Sequence, residues 1–189
     1  MLFFSQCSKQ SDIVPQTLPV PETRNTHEIC TKSIPLMAGQ HTTAGSINIS
    51  QDTENLYVRY VTTSGWKLLE THLFAAPIKQ LPKSEKGVPE VGQFPYGDDH
   101  IAQLSTVTYT IPLSNFGNDS CIAIAAHASV GLVNLQGQVE KKETAWGNGS
   151  KLSEGDTWAM YISYYFCRSS DATVNDTING NSNVNEGGN

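Results

Sequence analysis

The chain has 189 residues and a mass of 20.6 kDa, a size that suits one domain. Charged residues are 16% of it, against roughly 25% in an average soluble domain, and the apolar set is 38%. A formal charge of −6 and a sequence pI near 5.3 leave no basic footprint for nucleic acid, and no run approaches the ~18 apolar residues of a membrane-spanning helix.

The chain opens Met1-Leu2-Phe3-Phe4-Ser5-Gln6-Cys7-Ser8-Lys9. A short apolar run closing on a cysteine, with polar spacer after it, resembles the lipobox of bacterial lipoproteins in the loose form of Bacteroidetes. That resemblance implies lipidation of Cys7, attachment to the membrane by the lipid, and an outer-membrane or cell-surface position. Gln6 departs from the pattern, because a small residue usually precedes the cysteine. Acyl chains on one residue anchor a protein because each buried CH₂ contributes ~0.8 kcal/mol. Residues 1–27 then form a signal remnant and a linker. Pro15, Pro19 and Pro21 fix φ and remove donors there, so the stretch pairs poorly as strand or helix.

Residues 28–168 have the texture of a β domain. Ile47 and Ile49 alternate with Ser46, Asn48 and Ser50, and Leu56, Val58 and Tyr60 fall on one face of the next run. Glu70 and His72 share one face of a further strand. Thr106 to Ile111 is β-branched and aromatic and stops at Pro112. Ile122 to Val130 is apolar and small, and Trp158 to Cys167 is the longest strand candidate. Turn signals at Asp52–Asn55, Ser64-Gly65, Asn115–Asp119 and Gly147–Gly149 separate them. This spacing predicts an all-β, antiparallel β-sandwich with two long loops, Pro77–Gln103 and Thr144–Asp156. Residues 169–189 are Ser, Asn, Asp, Thr and Gly, too polar to offset the entropy of ordering, and predict a disordered tail.

Cys30, Cys121 and Cys167 follow Cys7, none of them in a CxxC. Three thiols form at most one bridge between them. Cys30 with Cys167 would close almost the whole domain, and Cys121, in a small-residue strand, reads as a buried free thiol. Spacing leaves the pairing open.

A set of short strings occurs in order: Leu36–Gln40 before Gly45–Ile49, Asn55–Tyr60 followed by Thr63-Ser64-Gly65-Trp66, Glu70-Thr71-His72-Leu73, Gly92-Gln93-Phe94-Pro95-Tyr96, Tyr109–Leu113, Ile124-Ala125-Ala126-His127-Ala128, and Glu143-Thr144-Ala145-Trp146-Gly147. Together they resemble a family of secreted bacterial surface domains common in Bacteroidetes lipoproteins. The resemblance spans about residues 34–166 and implies a β-sandwich outside the cytoplasm, with no activity attached. Asp176-Thr177-Ile178 resembles a short Bacteroidetes O-glycosylation motif.

Two groups of side chains bear chemistry. Glu70, His72, His127 and Glu143 offer carboxylate and imidazole, the makings of a divalent-metal site, of acid–base work, or of a structural polar network. Phe94, Tyr96, Asp98, Asp99 and His100, with Trp146, place aromatics beside an acidic turn. Such rings either stack on a sugar or a partner protein, or plug the ends of the sandwich. No GxSxG, HExxH, P-loop or GxGxxG is present. The expected function is a non-catalytic binding or assembly module of the cell envelope, with a glycan or an envelope protein as partner and no cofactor. The alternatives are a metal-assisted hydrolase built on Glu70, His72 and His127, and a purely structural surface subunit.

Overall fold

A computed structural model describes residues 30–63, 65–152 and 157–167. Cys7, the 1–27 linker, the 169–189 tail and the Asp176–Ile178 motif lie outside the described residues. Among the described residues the chain is all-β. Its strands are β1 Thr31–Ala38, β2 Thr42–Gln51, β3 Asn55–Thr62, β4 Trp66–Ala76, β5 Tyr96–Leu104, β6 Thr106–Pro112, β7 Cys121–Val133, β8 Val139–Gly147, β9 Ser150–Lys151 and β10 Met160–Tyr165.

Every pairing is antiparallel, in the order β5-β4-β7-β8-β1-β2-β3-β6. Two packed sheets are expected from the sequence; the strands instead form one sheet that curls until it is nearly barrel-shaped. Its two end strands, β5 and β6, are joined through Ser105. There the Thr62 amide donates to the Ser105 carbonyl at 2.9 Å, and Lys67 Nζ donates to Ser105 Oγ at 2.7 Å.

β7 is the spine. Its 13 residues pair with β4 on one edge, and on the other with β10 over Cys121–Ile124 and β8 over His127–Val133. Its inward row is Ile122, Ile124, Ala126, Ala128 and Val130, all buried. The expected rows Ile47/Ile49 and Leu56/Val58/Tyr60 also line this core and are buried completely or nearly so. β1 tolerates Pro35 because β8 pairs only with Leu36–Ala38, so the missing N–H breaks no rung.

A second, smaller core lies on the outer side of β4 and β7. Phe74, Ala123, Ala125 and Trp146 are covered there by Leu81, Phe94 and Ala159 from the connecting segments. The first expected long loop is therefore largely ordered. Short 3-10 turns at Ile78–Gln80 and Val91–Gln93 fold it onto this core, and its last part is β5. The second expected loop is also shorter, because Thr144–Gly147 completes β8 and Ser150–Lys151 pairs with β10.

Cys30 and Cys167 are joined by a disulfide with Cα atoms 6.2 Å apart, across a sequence separation of 137. Cys121 is also disulfide-bonded, which corrects its reading as a free thiol.

Candidate functional site

Alternation along β4 sends Glu70, His72 and Phe74 to the outer face and Thr71 and Leu73 to the core. Register then brings His72 opposite His127 on β7, and His127 opposite Trp146 on β8. Glu70, His72 and His127 do meet, as the sequence suggests. A hydrogen bond of 2.5 Å joins His72 Nε2 to Glu70 Oε1. The His72 and His127 rings are 5.7 Å apart, and the His127 ring meets the Trp146 indole edge-on at 4.8 Å. On its other side His72 lies against β5, where a Cβ on Gly97 would stand 2.8 Å from His72 Nδ1.

Burial, and then the neighbouring His72, push the His127 imidazole down to about 4, against a weaker opposite pull from Glu70. The ring is neutral at pH 7, and its buried Nδ1 has no hydrogen-bond partner among the described residues. A neutral imidazole beside a carboxylate–imidazole pair can accept a proton or lend a lone pair. Among the described residues, however, no three His, Cys, Asp or Glu side chains converge as a metal site would need.

Glu143 does not join them. It stands opposite Val130, a core residue, so it is on the other face of the sheet from His127 and Trp146. There it pairs with Lys141 at 3.0 Å, and its carboxylate lies against Gly39 (φ +55°), where a Cβ would stand 2.9 Å from Oε2.

The Phe94–His100 segment with Trp146 is likewise not one surface. Phe94 and Trp146 are only 7% and 4% exposed and pack against each other and Phe74, with centroids 6.4 and 5.9 Å from Phe94. Both rings are buried in the second core, so of the two roles offered above they do not fill that of an exposed contact surface. Tyr96 turns inward against Tyr109, at 6.1 Å. Asp98 and Asp99 are exposed on β5, opposite Thr71 and Glu70 respectively, so alternation sends them to opposite faces. His100, 5% exposed, hydrogen-bonds Thr71 Oγ1 through Nε2 at 2.8 Å, so it belongs to the interior and not to a solvated turn.

Thr71 is the centre of a polar chain that the sequence reading misses. Its hydroxyl also meets the Tyr109 hydroxyl at 2.7 Å, and the Tyr60 hydroxyl donates to the His72 carbonyl at 2.9 Å. Burial raises both tyrosines, Tyr60 well above its ordinary value and Tyr109 with a further push from Asp98. The available signal is alternation, since Thr71 between Glu70 and His72 must face inward.

A further surface feature lies elsewhere, on the outer face of β1, β2, β3 and β6. A groove of about 640 Å³ crosses it. One rung runs Ser33–Asn48–Arg59–Thr108 and the next Thr31–Ser50–Tyr57–Thr110. Ser33 Oγ donates to Asn48 Oδ1 at 2.7 Å, while Arg59 is exposed and has no ion pair or side-chain hydrogen bond with any described residue. Compared with known proteins, the chain matches no family model, no curated protein and no solved structure.

Proposed function

We propose that the chain is a non-catalytic binding or assembly module of a bacterial cell envelope, held at the outer membrane or cell surface by lipid on Cys7. Its partner is a glycan or another envelope protein. The scaffold is read as a flattened barrel whose opposed walls act as the two layers of a sandwich, and its ordered strings resemble the Bacteroidetes surface domains. The Cys30–Cys167 disulfide supports the compartment, because such bonds persist where thiols are not kept reduced. The observation that carries the contact reading is the open polar groove over β1, β2, β3 and β6. In the histidine cluster, by contrast, the Trp146 indole packs edge-on against His127 and β5 lies against His72, with only the Glu70 carboxylate well exposed.

Two measurements test this reading. The unreduced N-terminal peptide from native envelope should carry a diacylglyceryl thioether on Cys7. One sulfur cannot hold both a thioether and a disulfide, so with Cys30 and Cys167 paired an acylated Cys7 requires the Cys121 bond to join two copies of the chain, and a peptide joining Cys7 to Cys121 overturns the anchor. The purified domain should be retained on envelope polysaccharide or an envelope protein without releasing sugar or acid, and turnover of either overturns the contact reading.

The neutral His127 with its unpartnered Nδ1 is the observation that favours a metal-assisted hydrolase instead. Stoichiometric zinc in the purified protein, lost in His72→Ala, would replace the binding module with that enzyme.

A further inference from the structure

We propose that the groove over β1, β2, β3 and β6 takes an acidic oligosaccharide, a chain of uronate type, with Arg59 gripping a sugar carboxylate. This deepens the contact reading above and rests on it.

Charge is the first argument. The chain carries −6 overall, yet no acidic side chain lines this groove, and Arg59 stands in its middle rung, exposed and unpaired among the described residues. Lys32 at the rim donates to the Ser163 carbonyl at 3.3 Å, which leaves Arg59 as the cation facing the groove. Asp52, the carboxylate that the lining Tyr57 holds, is already engaged. It accepts from the Glu54 and Asn55 amides at 2.8 and 2.7 Å and from the Tyr57 hydroxyl at 2.7 Å, and these bonds hold its pKa below the ordinary value. A guanidinium left free in this way matches a planar carboxylate with two parallel hydrogen bonds.

The lining chemistry is the second argument. Apart from Arg59 and Lys32, the groove is hydroxyl and amide, with Ile49 beneath it. Strands spaced at about 4.8 Å present these groups in rows, suited to the many hydroxyls of a sugar chain. Ser33 already fixes the Asn48 amide, so part of the ordering cost of binding is met before a ligand arrives. A peptide would look for deep apolar pockets for its side chains, and among the residues lining this face only Ile49 is aliphatic.

The test passes the full chain over immobilised polygalacturonate, a sulfated polysaccharide, a neutral glucan and polyglutamate. Polygalacturonate should retain it best, and retention should fall with added salt. Arg59→Ala should weaken that retention about tenfold to a hundredfold, the range for hydrogen bonds to a charged group, with an unchanged melting temperature because the side chain is exposed. Arg59→Lys should recover part of it, and Asn48→Ala should lower it several-fold. Arg59→Ala retained like the wild type overturns the inference, as does stronger retention on the sulfated polymer or on polyglutamate. Retention on neutral glucan indifferent to Arg59 also overturns it, while leaving the contact reading standing; turnover of the polymer sinks both.

Discussion

His127 ties the outer face of the sheet to acid stability. Its folded-state value of about 4 lies below the ordinary 6.5, so between those values the unfolded chain binds the proton more readily. The stability gained by burying the neutral ring is whole above pH ~6.5 and is lost as pH falls toward 4, by up to about 3 kcal/mol. Urea melts of the wild type should therefore lose stability between pH 7 and 4.5, and His127→Leu should flatten that slope. Equal slopes in both proteins would place the acid sensitivity elsewhere. At the neighbouring rings, Phe94→Ala or Trp146→Ala should cost about 3 kcal/mol or more in denaturant unfolding, as truncation of a buried aromatic does. Were either ring a contact residue, binding would fall with stability intact. Inside the barrel, Thr71→Val and Tyr109→Phe should couple by about 1 kcal/mol in a double-mutant cycle, because they share one hydrogen bond. Additive effects would show that the 2.7 Å contact contributes nothing.

Among the elements, β5 is the odd member. It pairs with β4 alone, and its ladder breaks between Asp99 and Leu104, opposite Glu70 and Leu68. In the gap Gln103 takes a φ of +54° and Ile101 is 96% exposed. β7 is bonded on both edges, so hydrogen exchange should find β5 amides the faster by orders of magnitude. Comparable protection would mean that β5 is bonded on its outer edge in solution. The same contrast explains what the sequence discloses. β2, β3 and β6 alternate over a half-buried sheet and are legible, as is the apolar β7. β5, Tyr-Gly-Asp-Asp-His-Ile-Ala-Gln-Leu, has poor strand formers, and only tertiary pairing makes it a strand. Glu70 and His72 share a face by local alternation, so that pair can be read. The exclusion of Glu143 depends on the β7–β8 register, and the burial of Phe94 and Trp146 on connections folding back across the sheet. Neither is written in local spacing.

At the scale of the whole molecule, the Cys30–Cys167 bond closes nearly the entire domain into one loop. A chain-entropy model assigns such a loop about 5 kcal/mol of stabilisation. Cys167→Ser should lower the urea midpoint accordingly while leaving the far-ultraviolet spectrum native; an unchanged midpoint would mean the strand ladders alone secure the ends. The bond also sets a polarity. β1 starts and β10 ends beside it, whereas the β7–β8 hairpin, tipped by the fully exposed Leu135, points to the opposite pole. The consequence is mechanical. Tension applied between the chain before Cys30 and the chain after Cys167 runs straight through a covalent clasp, so the barrel hangs beside the line of force and its strands are never sheared.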